Sequence, residues 1–116
     1  MVKKYLLALV AMIPMCVSAG FYDGNKLDLW SLSLDKANRG DSLSLQQAMD
    51  ASVFQGYIAA VSDLSSGVTF CPTSEVALKQ LTDIVSAYLK KYPEKRADNG
   101  SDIVLDALSE KFPCIK

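Results

Sequence analysis

Four stretches of this chain repeat apolar side chains at helix-compatible intervals, separated by residues that stop helices. The first, Lys26 to Asp35, is two-sided. Leu27, Leu29, Leu32 and Leu34 partly alternate as in a strand, while Leu27, Trp30 and Leu34 share a helical face. Its helical company favours a helix, closed by the turn Asn38-Arg39-Gly40-Asp41. The second opens with Ser44-Leu45-Gln46-Gln47, a capping box in which hydroxyl and amide satisfy each other's backbone N–H. Leu45, Met49, Val53, Tyr57, Ala60 and Leu64 then run along one side, and Ala51, Phe54 and Ile58 along another. A helix apolar on two sides is either central in its own domain or exposes one side to a partner, so Ala51, Phe54 and Ile58 are candidate dimer contacts. Gly56 in mid-helix is disfavoured unless another backbone passes close by. Ser65-Ser66-Gly67 ends the segment.

The third stretch is the most regular. Ala77, Leu78, Leu81, Ile84, Val85, Tyr88, Leu89 and Tyr92 form one face, with Glu75, Lys79, Asp83, Ser86 and Lys90 opposite. Thr73 or Ser74 is its expected cap, and Pro93 its stop. Lys90, Lys91, Lys95 and Arg96 make a small basic cluster at its end, either a solvated terminus or a surface for an acidic partner. In the fourth, Ser101 is the expected cap, Ile103, Val104, Ala107, Leu108 and Phe112 share a face, and Pro113 closes it. The pattern predicts an all-α bundle of about four helices, the last two an antiparallel hairpin.

That hairpin gives the cysteines a meaning. Cys71 precedes the third helix and Cys114 follows the fourth, so an antiparallel pair brings them to one end. A bridge there clasps the hairpin, and in the chain-entropy picture a loop of this size stabilises by about 4 kcal/mol. The chain has no histidine, and the cysteines lack CxxC spacing, which removes a zinc site.

The first 19 residues have the form of a secretory signal: Lys3 and Lys4, an apolar run from Tyr5 to Val17, and the small residues Ser18 and Ala19. The run is shorter than the roughly 20 residues of a membrane span. Cys16 follows Met15 rather than the small residue a lipid-attachment signal needs, so no membrane anchor is expected. Cleavage after Ala19 leaves residues 20–116, one domain, with ten basic against thirteen acidic side chains once Lys3 and Lys4 are removed. That mildly acidic balance, with no basic stripe, argues against nucleic acid.

Catalytic signals are missing. Without histidine no serine or cysteine nucleophile has an imidazole base, and there is no phosphate-binding glycine loop or GxSxG elbow. The carboxylates Asp98, Asp102 and Asp106 cluster near a helix start, where they favour the dipole. Neither metal, cofactor nor enzyme activity is expected; a binding protein fits better.

From Phe54 onward the chain resembles the Tai family (resistance-associated protein/Tai), periplasmic immunity proteins of type VI secretion systems. The likeness rests on Gly56-Tyr57-Ile58, Cys71-Pro72, Gln80, Val85, Tyr88-Leu89, Pro93-Glu94, Ile103-Val104, Ala107-Leu108 and Phe112-Pro113-Cys114, with Gly24-Asn25-Lys26-Leu27 matching the family's opening Gly-Asn-x-Leu. Many members carry a second cysteine pair, one cysteine near Trp30-Ser31 and one where this chain has Phe54; packing of Trp30 on Phe54 is the expected substitute. The resemblance implies a periplasmic, usually dimeric protein that binds a peptidoglycan-cleaving amidase effector and blocks its catalytic groove. Within that reading, the first candidate for the groove-filling element is Ser65, Ser66, Gly67, Val68, Thr69 and Phe70, beside the clasp. The second is the connector from Pro93 to Gly100, with Lys95, Arg96 and Asn99. The competing reading is a small helical periplasmic chaperone that acid activates by exposing apolar surface.

Overall fold

The computed structural model describes residues 20–115; the expected export signal, residues 1–19, lies outside the described residues. Four α-helices follow in order, α1 (Gly24–Asn38), α2 (Leu45–Ser65), α3 (Leu78–Lys91) and α4 (Gly100–Lys111), with a 3₁₀ helix, Pro93–Ala97, between the last two. No strand occurs among the described residues. The fold is the expected all-α bundle.

The first segment resolves as a helix because its buried side chains, Leu27, Trp30, Ser31 and Leu34, recur at 3.6-residue spacing, whereas Leu29 and Leu32 face out. Asp23 caps it, accepting from the Lys26 N–H at 3.0 Å. At α2 the capping box forms as expected: the Gln47 N–H donates to Ser44 Oγ at 3.1 Å, and the Ser44 N–H donates to Gln47 Oε1 at 3.0 Å.

Two expected starts move. Helix α3 begins at Leu78, not near Thr73 or Ser74, since residues 71–77 run out from the clasp without helical hydrogen bonding. Its first turn is held by Gln80, whose side chain accepts the Ala77 N–H at 2.9 Å. Helix α4 begins at Gly100 with Asn99 as the flanking residue, so Ser101 lies inside the first turn rather than capping it.

The core is one cluster drawn from all four α-helices, including Leu27, Phe54, Ile58, Val85, Leu89, Ile103, Val104 and Leu108, all fully buried. Each such side chain contributes about 1.5–3 kcal/mol. Ala51, Phe54 and Ile58, expected as dimer contacts, are that core: Phe54 and Ile58 are 0% exposed, so neither can meet a second molecule. The other row of α2 faces outward, with Leu45 80% and Leu64 85% exposed and Met49 and Val53 about half exposed. The hairpin partner decided this inversion. Helix α1 brings Leu27, Trp30 and Leu34 against α2, and only one of two similar apolar rows could face them. Gly56 also lies on the exposed side, and a Cβ added there would meet nothing within 4 Å, so no backbone among the described residues explains it.

Trp30 and Phe54 share the core, but the rings stacked edge-on against Trp30 are Tyr22 at 4.8 Å and Tyr57 at 6.3 Å between centroids. Burial pushes the Tyr57 hydroxyl above its ordinary pKa, with the hydrogen bond to Ser101 opposing.

Candidate functional site

The clasp exists. Cys71 and Cys114 form a disulfide across a sequence separation of 43 residues. It stands beside a main-chain hydrogen bond from the Cys71 N–H to the Phe112 carbonyl at 2.8 Å, which ties the chain ahead of α3 to the chain after α4.

The loop between α2 and the clasp is tight. Ser66 caps α2 by donating its N–H to the Ser62 carbonyl at 2.9 Å, and Gly67 then turns with φ of +79°, a conformation that glycine adopts without strain. The Gly67 N–H donates to the Phe70 carbonyl at 2.8 Å, while the Val68 and Thr69 N–H groups both donate to the Ser65 carbonyl, at 3.0 and 2.9 Å. From α4, Ser109 Oγ donates to the Thr69 carbonyl at 3.1 Å. The Cys114 sulfur lies 3.8 Å from the Val68 carbonyl oxygen.

This arrangement sorts the six expected contact residues by role. Ser66, Gly67, Val68 and Thr69 are exposed, and Val68 stands out at 78% exposure. Ser65 is half-buried and serves as the carbonyl acceptor that shapes the turn. Phe70 is withdrawn: its ring is 2% exposed and packs near Phe112, with centroids 6.5 Å apart. It anchors the loop and cannot be a contact residue. What the loop presents is an uncharged tip, Ser66 to Thr69, fixed at its base by Phe70, the disulfide and Ser109.

The second expected element, from Pro93 to Gly100, is built differently. It carries the 3₁₀ helix and receives the start of the described chain. The Gly24 N–H donates to the Asp98 carbonyl at 3.1 Å, the Gly100 N–H to the Tyr22 carbonyl at 2.8 Å, and the Gly20 N–H to Asn99 Oδ1 at 3.3 Å. Gly24 is required here. A Cβ at that position would stand 2.6 Å from Arg96 Cα and would also strike the Ile103 side chain.

Arg96 is a strut rather than a free cation. Its Nε donates to the Leu89 carbonyl at 2.8 Å, and Nη1 lies 3.6 Å from Asp28 Oδ2, joining α1, the 3₁₀ helix and the end of α3. Two other members of the basic cluster are also paired, Lys90 with Asp35 at 2.7 Å and Lys91 with Glu110 at 3.2 Å. Asn99 is half-buried and its side chain donates to Asp102 at 3.4 Å as well as accepting from Gly20. Lys95 is half-buried. Nothing in the sequence marks Arg96 as structural; the Gly24 of Gly-Asn-x-Leu is the visible trace of its close approach.

Among the described residues, no group of three or more histidine, cysteine, aspartate or glutamate side chains converges as a metal site, and no helix is long and apolar enough to cross a membrane.

A bundle with a clasped hairpin and an exposed, braced loop is what a rigid binding protein needs. The sequence profile of the Rap1a immunity proteins matches residues 18–114, almost the whole chain. The chain belongs to the Rap1a immunity protein family. A Rap1a protein is an immunity protein against a secreted effector, so a cognate effector is its partner. No curated relative matches closely enough to add to this.

Proposed function

We propose that this Rap1a protein is of the Tai type and acts in the periplasm, after export and cleavage behind Ala19, where it binds a type VI-delivered peptidoglycan amidase. The tip Ser66–Thr69 enters and blocks the catalytic groove of the effector. The observation that carries this reading is the Val68 tip: an exposed apolar side chain on a loop held by four main-chain hydrogen bonds and a disulfide. Ordering is built into the fold, so little conformational freedom is lost on docking. Plugging a groove requires no chemistry from the inhibitor, which agrees with a chain that has no histidine.

The same reading includes a homodimer. Its contact moves from the buried row to the outer row of α2, Leu45, Met49 and Val53, around the open flank of Gly56. Sedimentation should then give twice the chain mass, and Met49→Asp with Val53→Asp should give the monomer; a monomeric parent protein would remove this part.

The first test is whether a gene beside this one encodes a peptidoglycan amidase; the second is co-purification with that amidase, together with protection of cells carrying a periplasm-directed copy of it. The outward apolar row of α2 also suits the chaperone reading. Failure to bind the amidase, with suppression of client aggregation at acid pH, would decide for the chaperone.

A further inference from the structure

Beside the tip, the chain running from α2 into α3 encloses a groove of about 230 Å³. Its floor is apolar, formed by Phe70, Val76 and Leu81, and Asp63 and Glu75 stand on its rim. No basic side chain among the described residues lines it. Neither carboxylate belongs to an ion pair among the described residues. Helix α2 ends at this rim without a basic residue in its last turn, so the negative end of its dipole adds to the two carboxylates.

A further observation points to a ligand. Ser62 lines the same groove and is only 5% exposed, yet its hydroxyl has no hydrogen-bond partner among the described residues. Buried hydroxyls normally find one, and an unmade bond is a standing cost that an incoming donor relieves. The groove therefore combines an apolar floor, two carboxylates and a buried hydroxyl that have no partner among the described residues, and a helix C-terminus.

Resting on the reading that the neighbouring tip docks on an effector, we propose that this groove receives a cationic side chain of that effector, an arginine in the first instance. The aliphatic stem lies along Phe70, Val76 and Leu81, and the guanidinium donates to Ser62, Asp63 and Glu75. Arginine fits better than lysine because its planar fork reaches several acceptors at once. The groove supplies charge selection, and the uncharged tip supplies occlusion.

The test uses the ¹⁵N-labelled protein purified from the periplasm, with N-acetyl-arginine amide as probe and N-acetyl-citrulline amide as its neutral isostere. The arginine probe should shift the amide resonances of Ser62, Asp63 and Val76 saturably, with an affinity about tenfold or more above that of citrulline. Asp63→Asn combined with Glu75→Gln should abolish that preference while leaving the thermal midpoint in place. Equal responses to the two probes, or no response at these residues, would overturn the assignment. Amidase capture is scored separately on the same preparations. Capture without arginine preference rejects the cation site alone, whereas arginine preference without capture rejects the effector reading and leaves the groove as a cation site.

Discussion

Two connectors of this bundle hold similar numbers of residues and are used in opposite ways. The Ser65–Phe70 loop is bonded mainly to itself and to the clasp, and it turns an uncharged tip to solvent. The Pro93–Gly100 segment is bonded to the start of the described chain and to α1, and it commits Arg96 and several main-chain groups to bonds within the molecule. Charge would have favoured the second as the binding element, since it carries Lys95 and Arg96. Yet Arg96 is already committed to a carbonyl and a carboxylate, so it has little to offer a partner. Exposure combined with rigidity is the better guide to a docking element.

The comparison can be broken at its strongest point first. Replacing Cys71 and Cys114 by alanine should cost about 4 kcal/mol, measured by urea denaturation, and should weaken effector capture because the tip loses its base. Loss of stability with capture fully retained would detach the loop from the clasp.

The second connector should respond in stability alone. Gly24→Ala forces a Cβ against the Arg96 backbone and should cost about 1–3 kcal/mol, the range of overpacked sites. Arg96→Ala leaves the Leu89 carbonyl and Asp28 without their partner and should cost about 1–2 kcal/mol. In both variants the molecules that remain folded should bind effector as the parent does. A large affinity loss at Arg96 without a stability loss would return this segment to the docking surface.

A smaller effect sits in the core behind both connectors. Burial raises the pKa of Tyr57 and of Tyr88 above the ordinary tyrosine value. The folded state therefore holds each proton more tightly than the unfolded chain does. Their contribution is whole below the unfolded value of about 10 and is lost as pH rises through the raised folded value. The thermal midpoint should fall above about pH 10, and Tyr57→Phe with Tyr88→Phe should reduce that fall. Lys91, raised by its contacts with Tyr92 and Glu110, acts in the same direction and remains in that variant. An unchanged alkaline slope would show that the hydroxyls titrate alike in both states.

Much of the scaffold was legible because it depends on local signals. The capping box at Ser44, the stop at Pro93, the face of α3 and the bracketing cysteines each act within a few residues or through one hairpin. What escaped depends on distant partners. Two rows of α2 were apolar, and it is the packing of Leu27, Trp30 and Leu34 that goes with Phe54 and Ile58 turning inward while Leu45 and Leu64 turn outward. Phe70 looked like part of a loop because its sequence neighbours are small and polar, yet Phe112, 42 positions later, brings it inside. Arg96 looked like a surface cation because Asp28 and the Leu89 carbonyl are brought to it only by the fold. Within the Ser65–Phe70 loop, which residues face outward follows from the turn at Gly67.

The central claim is that the Val68 tip, not the basic connector, makes the inhibitory contact. It is tested most directly by calorimetric titration of the cognate effector into the parent protein, Val68→Asp and Lys95→Glu, each first shown to have the parent's thermal midpoint. Val68→Asp should weaken binding about 100-fold, near 2.7 kcal/mol, and Lys95→Glu by no more than about threefold. The reverse order, with Lys95→Glu the damaging change and Val68→Asp neutral, would contradict the account.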